Sequence, residues 1–118
     1  MVIKQHRKTY NDGIVSVQKL KTIRNANKKV IGQELAEVMR LRFSEMSARD
    51  TDIELCKGLG KKLDMKIETL YPPKFKEHDM EALTVVLRGA KYSVIKTDRF
   101  RTSLYLYLQK VGGSSESD

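Results

Sequence analysis

The stretch from Met46 to Pro73, MSARDTDIELCKGLGKKLDMKIETLYPP, constrains the fold more than any other part of the chain. Asp50 or Thr51 is placed to cap a helix that runs over Ile53, Leu55, Cys56 and Leu59, because a short polar side chain there accepts from unpaired first-turn amides. Gly58 and Gly60 offer the left-handed conformation that closes a helix. Leu63, Met65 and Ile67 then alternate with Asp64, Lys66 and Glu68, which is strand periodicity. Pro72 and Pro73 end that strand, since neither donates to a ladder. The segment therefore reads as one short helix followed at once by a strand. It carries shape and no catalytic group.

At 118 residues the chain makes one domain, assigned to 1–112, with a flexible tail at 113–118, GSSESD in sequence. Such a length buries about two-thirds of its unfolded surface and needs no metal or disulfide staple. No apolar run approaches the roughly 20 residues of a membrane span, and the start, MVIKQHRK, lacks the apolar region of a signal peptide. Cys56 is the single cysteine, so no internal disulfide forms. The net charge of +8 is lopsided. Residues 1–49 hold eleven Lys/Arg against four Asp/Glu, whereas residues 50–118 hold twelve against eleven. A concentrated positive field suits an anionic neighbour, of which nucleic acid is the commonest, and it equally suits a solvated surface.

Asn11-Asp12-Gly13 is a turn signal. Ile14–Ile23 reads as a strand with Val15 and Val17 on one face and Lys19 and Lys21 carrying that row outward. Residues 24–33, RNANKKVIGQ, read as a loop. Glu34–Met46 fits two periods. Leu35, Val38, Met39, Arg42 and Met46 suit a helix, while Leu35, Met39, Leu41 and Phe43 suit a strand, and propensity alone favours helix. Tyr71–Glu81 reads as a loop, Leu83–Leu87 as a short apolar strand, and Arg88–Lys91 as a glycine turn. Tyr92–Thr97 returns as a strand, Asp98–Thr102 is a second connection, and Leu104, Leu106 and Leu108 alternate in the clearest strand of all. These three leucines are expected to share the core with Leu63, Met65 and Ile67.

The residues that carry chemistry are sparse. His6 and His78 lie far from Cys56 in sequence, and no HxxxH or CxxC spacing suggests zinc. Cys56 falls on the apolar side of the helix, as a small core residue does. Asp50 and Asp52 suit capping and the helix dipole. GLGKK closes a helix where a phosphate loop would open one. Tyr105 and Tyr107, with Arg99 and Arg101, could stack on bases as single-strand-binding barrels do, or pack across strands. No catalytic residue, cofactor or metal ligand is assigned.

Taken in order, the basic N-terminal half, MSARDTDIELCKGLGKKLDMKIETLYPP, VVLRGAKYSVIKTD and SLYLYLQKVG resemble the head–tail joining proteins (head-closure, stopper or adaptor proteins) of tailed double-stranded DNA phages and prophages. The resemblance spans about residues 8–112. It implies a mainly β fold, a small antiparallel β-barrel or sandwich with one short helix at about 50–58 and long loops, and it selects the strand reading of Glu34–Met46. It implies a homo-oligomeric ring below the portal that closes the DNA-filled head and offers an attachment surface to the tail. The implied partners are further copies of the chain, a portal or adaptor protein, a tail or tail-completion protein and packaged double-stranded DNA, with no membrane. The implied locations are the virion's head–tail interface and the host cytoplasm during assembly. By order of elements, the channel loop of that family corresponds to 24–33, which makes Arg24, Lys28 and Lys29 the DNA-channel candidates. The other reading of the same residues is a stand-alone basic β-barrel that binds nucleic acid non-specifically.

Overall fold

Six segments of the chain carry the apolar residues of a strand, most of them alternating, and each of the six is a strand. In a computed structural model, which describes residues 10–73 and 83–111, the elements are β1 (Gly13–Arg24), β2 (Val30–Met46), α1 (Asp50–Gly58), β3 (Met65–Leu70), β4 (Leu83–Leu87), β5 (Ala90–Phe100) and β6 (Ser103–Lys110). The strands close into an antiparallel barrel in the order β1-β2-β3-β6-β5-β4. Closure gives every strand a neighbour on both sides over part of its length. Val15, Phe43, Ile67, Val85, Leu87, Tyr92, Val94 and the three leucines of β6 fill the interior. Leu104, Leu106 and Leu108 meet Thr69, Ile67 and Met65 directly across the β3–β6 ladder. The expected shared core is therefore present, except for Leu63, which precedes β3. Asp64 anchors that corner instead: its N–H donates to the Leu108 carbonyl and its carboxylate accepts from the Lys110 N–H at 2.7 Å.

Glu34–Met46 is strand throughout, within the longer β2. Helix propensity loses because β2 gains a cross-strand partner at nearly every residue, first from β1 and at its end from β3. The even alternation expected there breaks at one place. Val17 faces Met39 but Gln18 faces Glu37, so Val38 is an extra residue. A bulge of one residue flips the parity beyond it. Leu35 consequently pairs with Leu20, on the face opposite that of Met39, Leu41 and Phe43.

Two connections are shorter than the sequence suggests. The loop at 24–33 shrinks to residues 25–29, because Arg24 ends β1 and Val30–Gln33 belong to β2. The Asn25 carboxamide oxygen accepts from the Asn27 and Lys29 N–H groups at 2.9 and 3.0 Å, and this Asx-type closure lets Val30 pair with Arg24, while Ile31 is an extra, bulged residue before Gly32 meets Ile23. Likewise, 98–102 is not a loop: β5 runs through Phe100, and a two-residue turn with Arg101 at φ 57° leads into β6. The β4–β5 turn has positive φ at both Arg88 and Gly89, as a type I′ hairpin requires.

The helix lies where its sequence places it, with different caps. The N-cap is Arg49, whose N–H donates to the Asp52 carboxylate at 3.1 Å, so Asp52 secures the first turn and Asp50 and Thr51 lie inside it. Gly58 is the last helical residue. Gly60, at φ 73°, takes the left-handed position, and the Gly60 and Lys61 N–H groups donate to the Lys57 and Cys56 carbonyls in a Schellman closure. His6, His78, most of the 71–81 loop and the tail at 113–118 lie outside the described residues.

Candidate functional site

The barrel does not use the whole of its longest hairpin. β1 pairs laterally with β4 only over Ser16–Lys19, and β2 with β3 only over Phe43–Met46. Beyond Lys19, the two strands are held by each other alone among the described residues. At about 3.3 Å per residue, Leu20–Arg24 carry the tip about 16 Å past the last lateral pair. The result is a two-stranded arm.

The arm carries four cations, Lys21, Arg24, Lys28 and Lys29, with Lys19 at its base, against one carboxylate, Glu34. Arg24, Lys28 and Lys29 converge at the tip and all are exposed. The Arg24 guanidinium donates to the Lys28 carbonyl at 3.1 Å, and the Lys28 N–H donates to the Asn25 carbonyl at 2.9 Å, with Lys28 itself at φ 62°. No carboxylate forms an ion pair with any of the three among the described residues. Such a tip offers charge to phosphate oxygens, a contact that carries no sequence information. Sequence reasoning singled out these three cations but placed them in a ten-residue loop. It passed over Lys19 and Lys21, which extend the charge down the ribbon; their outward alternation from Val15 and Val17 was the available signal.

At the root of the arm, Ser16 donates to the Glu37 carboxylate at 2.7 Å and Arg40 at 3.2 Å. Those two hydrogen bonds hold Glu37 below the usual carboxylate range. The opposite corner is closed by Arg88, which meets Glu45 at 2.7 Å and lies over the Phe43 ring.

Of the two readings of the aromatic and basic residues of β5 and β6, packing within the barrel is the one their surroundings match. Tyr107 is buried and Tyr105 half-buried. Between them lies Lys66, 4% exposed, its ammonium 5.5 and 5.1 Å from the two ring centroids and 3.1 Å from Asp52 of α1. A buried ammonium is tolerable only with such partners. Burial, then the Asp98 hydrogen bond, push the Tyr107 phenol above its ordinary value. Burial opposes ionisation of Asp52, but the Arg49 N–H and Lys66 outweigh it and hold the carboxyl low. The pair pins α1 to the barrel. Sequence reasoning missed Lys66 because its alternation with Ile67 reads as an outward, solvated position. Arg99 stacks on Tyr71 at 4.0 Å, and Arg101 lies 5.3 Å from Phe100, so those cations lie against the chain's own rings.

Cys56 is fully buried beneath α1, and burial pushes its thiol upward, against thiolate formation. Among the described residues, no three His, Cys, Asp or Glu side chains converge as a metal site would need. Compared with models of protein families the chain matches none, and the search of curated proteins returns no match.

Proposed function

We propose that the chain is a structural connector of a tailed phage or prophage, a subunit of a ring below the portal that closes the DNA-filled head and receives the tail. The observation that carries this reading is the cationic arm. A closed barrel has no need of a ribbon about 16 Å longer than its wall, and an isolated two-stranded ribbon is marginal in water without a neighbour. Copies arranged in a ring give the arms that neighbour. They also set Arg24, Lys28 and Lys29 as a collar of charge around a central passage. The order of motifs along the sequence supports the same assignment. Packaged DNA passing such a collar is attracted through phosphates at any sequence, as a conduit requires.

The test is assembly. Electron microscopy of the protein mixed with portal rings is expected to show a ring stacked on the portal. Replacing Arg24, Lys28 and Lys29 together by Ser is expected to preserve folding while filled heads lose DNA. Particles that keep their DNA and infect normally with the triple variant refute the collar.

A stand-alone nucleic-acid-binding barrel is the second reading, favoured by the exposed Phe100 beside Arg101. It predicts that the isolated subunit binds DNA at about micromolar affinity or better, with a steep salt slope. A ring subunit supplies few phosphate contacts and binds weakly until rings form.

A further inference from the structure

We infer that the hollow at the foot of α1 is a docking groove for a segment of another protein, one that presents an aliphatic side chain between carboxylates. The groove uses no residue of the arm, so it stands or falls independently of the channel reading.

The helix is under-buried. Asp52 and Cys56, one turn apart, face the barrel, yet Ile53, Leu55 and Leu59 on the two flanks are 44%, 48% and 55% exposed. An amphipathic helix on a finished surface covers a stripe at least 100° wide; here Cys56 alone is buried. The cause is the pinning just described. Asp52–Lys66 and the Schellman turn at Gly60 fix the two ends of α1, and the chain doubles back through Lys61 and Lys62 to Leu63. Between the helix flank and this return lies a hollow of about 330 Å³ with Ile53 and Leu63 as its apolar floor and Lys57, Lys61 and Lys62 at its rim. On the other side of Lys61 a second hollow, about 280 Å³, follows Ser93–Ile95. Ile95 there is the bulged residue of β5, outside the β6 ladder.

The rim sets the partner's charge. Lys62 makes only a loose 3.8 Å approach to Asp64, with its side chain 83% exposed. Among the described residues, no carboxylate lies within ion-pair distance of Lys57 or Lys61. Asp52, on the inner face of the helix, is already held by the Lys66 ammonium and the Arg49 N–H. Carboxylates from outside are the complement. A second copy is a poor occupant, since it brings 23 cations against 15 carboxylates. The floor is aliphatic with no aromatic ring, so it rewards an aliphatic anchor and offers nothing for a base to stack on.

The experiment uses the full chain and three probes: a fluorescein-labelled synthetic peptide with leucines at helical spacing among glutamates, its lysine counterpart, and an oligothymidine. Fluorescence polarisation reads affinity, and amide NMR spectra read position. The glutamate peptide is expected to bind and to shift the amides of Ile53, Lys57, Lys61 and Leu63. Ile53→Ser, and separately the pair Lys57→Glu and Lys61→Glu, are each expected to weaken it about tenfold or more, with unchanged circular dichroism because all three side chains are exposed. The inference is overturned if no shifts appear at α1, if the variants bind as well as the parent, or if the lysine peptide binds equally. It is also overturned if oligothymidine displaces the peptide while shifting the same amides, which makes the groove a general anion surface.

Discussion

Leu106 is the most demanding test of the barrel. Its side chain is fully buried, it lies between Ile67 of β3 and Thr97 of β5, and it belongs to the apolar cluster inside the wall. Leu106→Ala removes three carbon groups from that interior. At about 0.8 kcal/mol for each buried group, the lost transfer energy is about 2.4 kcal/mol. The cavity adds more. A residual void on the order of 50 Å³ contributes about 1 kcal/mol at 24 cal/mol per Å³. Relaxation is limited because both neighbours are themselves hydrogen-bonded into a closed wall. The expected loss is therefore about 3–4 kcal/mol, inside the 2–5 kcal/mol range usual for such changes. Urea unfolding followed by circular dichroism measures it, with the slope against denaturant expected to stay constant so that the midpoint shift reports stability. A loss under about 0.5 kcal/mol is typical of surface positions. That result would refute the inward orientation of the β6 leucines and, with it, the closed barrel.

Three further outcomes follow from individual contacts. Gly13 has φ 140°, and a Cβ there would stand 3.2 Å from the Phe43 ring, so Gly13→Ala is expected to destabilise by about 1–3 kcal/mol in the same unfolding assay. Asp52 has a lowered pKa in the folded state, so its stabilising contribution is present above the unfolded carboxyl value and is lost as pH falls through the folded one. Asp52→Asn is expected to flatten the fall in stability below about pH 4 and to speed amide exchange in α1, and an unchanged acid limb refutes the pin. Cys56→Ala is expected to cost about 1 kcal/mol and to leave assembly intact, with the wild-type thiol reacting with a disulfide reagent only after denaturation; loss of assembly by a folded Cys56→Ala protein would mean that the thiol works.

The glycine turns, the 50–58 helix and the alternating leucines of β6 were legible because their signals are local. Gly60 and Gly89 need positive φ wherever the chain goes next, and alternation at 104, 106 and 108 has one reading. Val30 and Ile31 were misread because the preceding Asn and Lys run looks like loop, and only the Asn25 closure tightens the turn enough for β2 to begin at Val30. Arg24, Lys28 and Lys29 were legible as a basic cluster but not as the tip of a projecting two-stranded ribbon. That depends on how far β4 and β3 run beside β1 and β2, a property of other segments.

The N-cap shows the same division: Arg49 is a poor capping residue by type, and Asp52 takes the role because Lys66 on a distant strand holds its carboxylate in place. By itself the sequence determined which residues alternate, where the chain turns, and that one short helix interrupts a mainly β chain, because each of these follows from backbone sterics and side-chain period within a few residues. Tertiary structure alone decided the barrel's closure, the bulge at Val38 that turns Leu35 to the other face, the burial of Lys66 between Tyr105 and Tyr107, and the apolar flanks left open on α1. Each of those balances one segment's burial or pairing against another's, and the energy that settles it belongs to the contact between segments that lie far apart in the chain.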